Sequence, residues 1–315
     1  MCYNTPMKNA ISPSVSFAVV ISLILILAAC TNAPEPADPE YTAEVEEWRS
    51  ARLERLTADD GWLTLTGLYW LEQGENPFGS GQDNAVVLPD KSVPDVAGQL
   101  VLGPDGVVTV LVEEEAVVNV NGEPVIEATL KTDAEGQPDV ITAGRNQFYV
   151  IDREGRLAAR VKDPEAATLA NFAGIEHFPI SDSFRVEARL EAYDAPREVA
   201  VPTETGQEAM YIAPGVLLFT IDGVEYSLEP FLSGADNENY FLIFRDATSS
   251  VTTYGAGRFL YASAAAEDGK TVLDFNLAYN PPCAFTAYAT CPLAPPQNWL
   301  PVAIEAGEKY SGDAH

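Results

Sequence analysis

Apolar positions change their spacing once along this chain, and the change divides it. Between Asp38 and Thr57, Val45, Trp48, Arg52 and Leu56 form an incomplete stripe at helical spacing, and Glu46 and Arg49 stand one turn apart. Asp38 followed by Pro39 supplies a cap and a first-turn proline, so a helix is predicted near residues 40–57. Its charged face suits an element docked on a larger body. Beyond Asp60-Gly61 the period shortens to that of strands. Trp62–Leu65 and Leu68–Leu71 read as short aromatic strands, followed by Ala85–Leu88, Val107–Val112, Val117–Val120, Phe148–Ile151 and Leu157–Val161. Asp105-Gly106 and Asn121-Gly122 supply tight-turn dihedrals between them.

A second set of strands begins near Ser181. Phe184, Val186, Ala188 and Leu190 alternate with polar residues, and Val216–Ile221 and Val224–Leu228 flank the hairpin pair Asp222-Gly223. Tyr240–Phe244, Arg258–Ala262 and Thr271–Phe275 complete the series. No long helices separate the strands, which disfavours parallel βαβ units. The expected fold is mainly β: an amino-terminal helix and a β-sandwich over 41–178, packed against a carboxyl-terminal antiparallel region over 179–311.

The segment ahead of the helix has a different logic. Val15–Cys30 is an apolar run preceded by Lys8 and closed by Leu27-Ala28-Ala29-Cys30. It is short for a permanent span and has the form of an export signal over 1–29 with a lipoprotein processing site. Cys30 is then the lipidated first residue, and residues 30–40, rich in proline and small side chains, form a flexible linker. An uncleaved anchor and an ordinary secretory signal are the alternatives. The lipoprotein reading places the protein in a bacterial cell envelope, outside the cytoplasm, with membrane lipid as a partner through the anchor.

Eighteen basic against 47 acidic residues give a net charge of -29. Phosphate attraction needs concentrated positive charge, so a broad nucleic-acid face is excluded. Glu113, Glu114 and Glu115 lack the ordered oxygen pattern of an EF-hand loop. Of the four cysteines, Cys283 and Cys291 lie in the folded region, where a disulfide, two buried thiols, or metal and redox chemistry are open readings. With only His177 and His315 present, no metal site and no cofactor is expected. Ser249 and Ser250 lack a nucleophile elbow, and there is no phosphate-loop or dinucleotide fingerprint.

Two resemblances add to this. Phe78–Val161, with Gly79, Asn84, Asn121-Gly122 and Gly144, loosely resembles a forkhead-associated sandwich, although the arginine and serine pattern of its phosphate site is not evident. The segments GWLTLTGLYWLEQGENPFGS, GRFLYA, DFNLAYNPPCAF and TCPL resemble the family of unknown function 1684 over roughly residues 45–310. That resemblance implies no activity. It marks Asp246, Thr248, Tyr254, Gly255, Gly257, Arg258, Asp274, Asn276, Tyr279, Asn280 and Cys283.

Among these, Tyr254, Arg258, Asp274 and Asn276 are the candidate polar or catalytic site. Arg258 follows a Gly-Ala-Gly turn and carries five donors for an anionic group, while Asp274 and Asn276 share one face if their segment is a strand. Asp246, Thr248, Tyr279 and Asn280 are weaker candidates. The expected role is binding of a small polar ligand or a structural role in the envelope. A small-molecule hydrolase with Asp274 as base and Arg258 as anion clamp is one alternative; a protein-interaction module, with an envelope protein as partner, is the other.

Overall fold

The structure is a computed structural model that describes residues 38–310 and 312. The export segment, Cys30 and His315 lie outside the described residues. Pro39–Thr57 form the predicted helix, and Asp38 caps it by accepting from the backbone N–H of Glu40 at 2.8 Å. Tyr41, Val45, Arg52 and Leu56 are its buried residues, so the stripe carries a charge into the interior. The predicted Glu46–Arg49 pair forms at 3.0 Å. No helix among the described residues is long and apolar enough to cross a membrane.

The described residues fall in one compact unit. Within it, a six-stranded sheet runs in the spatial order Leu65–Trp70, Arg156–Lys162, Asn146–Arg153, Ile141–Ala143, Val118–Val120, Glu123–Pro124. A five-stranded sheet follows the order Val86–Val87, Gly74–Gly79, Gly98–Leu102, Val108–Val112, Glu127–Leu130. Both contribute to a single core, in which Phe78 of one sheet meets Phe148 of the other at 5.2 Å between ring centroids. The fold is mainly β, with these two sheets packed on one shared core.

The carboxyl-terminal region also has two sheets. Val224–Leu228, Glu208–Ile221, Arg185–Pro202 and Lys270–Asp274 form one, and Phe231–Ser233, Asn239–Phe244 and Arg258–Ser263 the other. Leu217, Phe219, Leu242, Phe244 and Leu260 join them in a second core. The hairpin at Asp222-Gly223 forms as predicted: φ is 51° and 77°, the pair of positive values that matches strand twist.

Three expectations about elements need correction. Trp62–Thr64 is a 3-10 turn, not a strand: the Leu65 N–H donates back to the Trp62 carbonyl, and the Thr64 hydroxyl donates to the Gly61 carbonyl at 2.7 Å. The strand at Arg185 runs to Pro202 and pairs with Glu208–Ile221, although residues 191–198 carry no apolar alternation. Finally, the strand expected over Thr271–Phe275 ends at Asp274, whose side chain accepts from the Asn276 backbone N–H at 3.1 Å and starts a 3-10 turn.

Candidate functional site

Arg258 is completely buried. Its Nη2 donates to Asp246 Oδ2 at 2.8 Å and to the Ile304 carbonyl at 2.9 Å, while Nη1 donates to the Ala306 and Glu308 carbonyls. The second oxygen of Asp246 accepts from the Thr248 N–H at 2.8 Å, the Thr248 hydroxyl at 2.6 Å and the Ile304 N–H at 3.3 Å. Burial lowers the guanidinium's proton affinity and Asp246 opposes it; an arginine keeps its charge under such pressure. Four of the five donors predicted to face a ligand therefore face the protein. They fasten the 304–308 segment to the second core.

Asp274 and Asn276 belong to a different cluster, set by the amino-terminal helix. The Tyr41 hydroxyl is 2.8 Å from each Asp274 carboxylate oxygen, and Asn276 Nδ2 donates to that hydroxyl at 2.8 Å and to the Ser181 carbonyl at 2.9 Å. Asn276 Oδ1 accepts from the Ser181 N–H at 3.0 Å. Burial, then the Asp274 carboxylate, raises the Tyr41 pKa, so the phenol stays a donor. Asp274 and Asn276 do meet, through the turn instead of a shared strand face. Arg258 is not among their partners; the cation near Asp274 is Arg185, at 4.0 Å.

The remaining predicted residues fall around these clusters. Thr248 serves Asp246. Tyr254 donates to the Cys283 carbonyl at 3.2 Å and packs edge-on against Tyr310. Tyr279 lies among Trp48, Phe259 and Tyr261, with the Arg52 guanidinium 4.9 Å from its ring centre. Arg52 donates to buried Glu308 at 3.2 Å and to the Asn280 carbonyl at 3.0 Å. Glu308 also accepts from the Asn280 N–H at 2.8 Å. Burial raises the Glu308 pKa, and Arg52 resists the shift. This pairing, absent from the sequence reading, locks the helix to the end of the chain.

Cys283 and Cys291 are two free, buried thiols, not the disulfide. They are neighbours nonetheless: the Cys283 N–H donates to Cys291 Sγ at 3.1 Å and the Cys291 N–H to Cys283 Sγ at 3.3 Å. The thiol–thiol contact lowers the Cys283 pKa and raises that of Cys291. His177 is held down to about 4 by burial and by nearby Arg49. Among the described residues, no three His, Cys, Asp or Glu side chains are grouped to hold a metal ion.

A concavity of about 730 Å³ lies elsewhere, a size suited to a small ligand. The one-turn helix Ala167–Ala170 and the irregular segment through Glu176 form one side, and Phe285–Tyr288 form the other, with Leu63, Asn280, Lys309 and Tyr310 completing the lining. Leu63 and Phe285 are buried and apolar, and Phe172 packs edge-on against Phe285 at 6.1 Å. Asn280 is 1% exposed. Its Nδ2 donates to the Lys309 carbonyl at 2.8 Å, which fixes the amide's orientation, while its Oδ1 is buried with no hydrogen-bond partner. A buried acceptor left without a partner is a local cost that the surrounding fold carries. Of the sequence-predicted residues, Asn280 is the one that lines it. Residues 167–176 were missed because they follow neither period.

Residues 170–309 match the model of a protein family described as a protein of unknown function, DUF1684. The match covers less than half of the chain. The match is shorter than the sequence resemblance, and the GWLTLTGLYW segment lies ahead of it. The chain is 33% identical to an uncharacterized protein of Haloarcula marismortui solved by NMR, over 44% of this chain and 78% of that one, with a TM-score of 0.38. An FhaA FHA domain complexed with an intracellular domain is 23% identical, over 30% of this chain and 97% of that one, with a TM-score of 0.21. A structure from a study of phosphothreonine-dependent FHA domain interactions is likewise 23% identical, over 30% and 92%, with a TM-score of 0.22. No curated protein matches the chain. The matched residues supply one complete side of the concavity and most of the other.

Proposed function

We propose that the protein binds a small, partly polar molecule in the concavity between residues 167–176 and 285–288. The observation that carries this is the concavity itself, about 730 Å³, with Leu63, Phe172 and Phe285 on its wall beside Thr168, Asn171 and Thr286. The ligand class follows from the lining: an apolar or aromatic body for Leu63, Phe172 and Phe285, with a polar group for the Thr168, Asn171 and Thr286 side. N-phenylnaphthylamine, a neutral aromatic amine with one N–H, is a suitable fluorescent probe. It is expected to bind the wild type saturably and to lose at least about tenfold in affinity with Ala287→Trp, which fills the exposed mouth. Equal binding by both proteins refutes the site.

A protein-interaction role is the second reading and uses another surface. Val117 and Ile126, 77% and 83% exposed, flank the backbone bond from Val125 to Val118 at the sheet edge. Sedimentation of the wild type against a Val117→Asp, Ile126→Asp double variant tests whether this patch pairs with a second copy; identical monomeric profiles reject that pairing. Anchoring in a bacterial envelope through Cys30 belongs to the same proposal and is supported by the Val15–Cys30 sequence. Intact mass of membrane-extracted protein is expected to show a chain beginning at acylated Cys30, and an unmodified chain retaining residues 1–29 would reject it.

A further inference from the structure

We propose that Cys283 and Cys291 form a reversible disulfide that clamps one wall of the concavity, so that the oxidation state of the pair sets ligand affinity. This rests on the binding role proposed above. The two cysteines close a loop, and the four wall residues Phe285, Thr286, Ala287 and Tyr288 all lie inside it. Each thiol already receives the other's backbone N–H, at 3.1 and 3.3 Å, so the two ends of the loop are in register. Both side chains are buried, 7% and 5% exposed, which favours a small oxidant over a protein one. Within the wall, Phe285 and Thr286 are buried, but Ala287 and Tyr288 are exposed. A covalent tie at the loop's base therefore acts on the part least held by packing.

The oxidant we assign is a hydroperoxide, taken here as hydrogen peroxide. The Cys283 thiolate attacks one peroxide oxygen; an S–O bond forms, the O–O bond breaks, and the departing hydroxide becomes water with the proton Cys283 gave up. The Cys291 sulfur then attacks Cys283 Sγ. The S–S bond forms, the S–O bond breaks, and the leaving hydroxide takes the Cys291 proton as a second water. Two thiols are oxidised by two electrons and one peroxide is reduced to two waters. A dithiol reductant reverses the change. The order of attack agrees with the opposite shifts of the two thiols, Cys283 being the more readily ionised.

Closing the loop before the ligand arrives removes part of the ordering cost of binding, so the oxidised form is expected to hold N-phenylnaphthylamine about fivefold more tightly than the reduced form. The test treats the purified full chain with hydrogen peroxide or dithiothreitol, maps disulfides by peptide mass, titrates the probe, and follows amide exchange over residues 285–288. Support requires a Cys283–Cys291 linkage, tighter probe binding and exchange slowed by about tenfold. Cys291→Ser is expected to show none of these responses, and the wild-type comparison stands if that variant fails to fold. Absence of the linkage after peroxide overturns the proposal, as does a linkage that leaves both probe affinity and exchange unchanged. If the probe binds neither form, the binding role falls and the clamp is judged on exchange alone, slowing supporting it and no change overturning it.

Discussion

Removing the Asp246 carboxylate separates a structural Arg258 from a ligand-binding one. Asp246→Ala leaves a fully buried guanidinium whose Nη2 keeps only the Ile304 carbonyl, takes the acceptor from the Thr248 hydroxyl, and strands the Thr248 and Ile304 N–H groups. The Thr248 hydroxyl retains Thr253 at 2.8 Å, and Glu308 acts on Arg258 at longer range, but its carboxylate is already engaged by Arg52 and Asn280. Breaking such a buried pair by removing one partner costs about 3–5 kcal/mol. With a urea m-value of about 3 kcal/mol/M, the unfolding midpoint is expected to fall by roughly 1 to 1.7 M with m unchanged. Asp274→Ala is the comparison: its carboxylate is partly exposed and loses the Tyr41 hydroxyl, the Asn276 backbone and side-chain N–H donors and a 4.0 Å contact with Arg185, together worth about 2 kcal/mol. A midpoint shift for Asp246→Ala below about 0.3 M, or equal to that of Asp274→Ala, refutes the structural assignment of Arg258.

Two further predictions concern pH. The Asp90 carboxylate accepts from the Arg145 and Ser92 N–H groups, both at 2.9 Å, which holds its pKa at about 2. Its folded value lies below the unfolded one, so it contributes up to about 2 kcal/mol above pH 4 that is lost as pH falls toward 2. Urea midpoints across that window are expected to fall more steeply for the wild type than for Asp90→Asn, and parallel curves would contradict this. His177, held to about 4, stays neutral in the folded protein while the unfolded chain takes up a proton near pH 6.5. Its contribution to stability is intact above pH 6.5 and declines as pH falls toward 4. NMR titration of the imidazole is the check; a midpoint near 6.5 rejects the buried environment.

Where one rule acted alone, the sequence was readable. The amino-terminal helix declared itself through Asp38-Pro39 and a 3.6-residue stripe, and the Asp222-Gly223 hairpin through residues that tolerate positive φ. Strands with one buried face were visible for the same reason. The long Arg185–Pro202 strand was half hidden because its pairing is interrupted between Ala192 and Arg197, where the residues carry no apolar alternation. Arg258 shows the limit for sites. A Gly-Ala-Gly approach and five donors describe an anion clamp or a buried brace equally well; only the partners at Asp246, Ile304 and Ala306 decide between them. Asn280 was marked by its motif, but its unmatched oxygen depends on Lys309 taking the amide nitrogen, a contact across the fold.

The most direct measurement of the binding site is amide hydrogen exchange of the full chain with and without saturating N-phenylnaphthylamine. The account predicts added protection confined to residues 167–176, 285–288 and 309–310, with the Arg185–Arg189 and Lys270–Asp274 strands unchanged. Protection centred on the Asp274 cluster or the Val117 and Ile126 edge, or none at all under saturation, would contradict it.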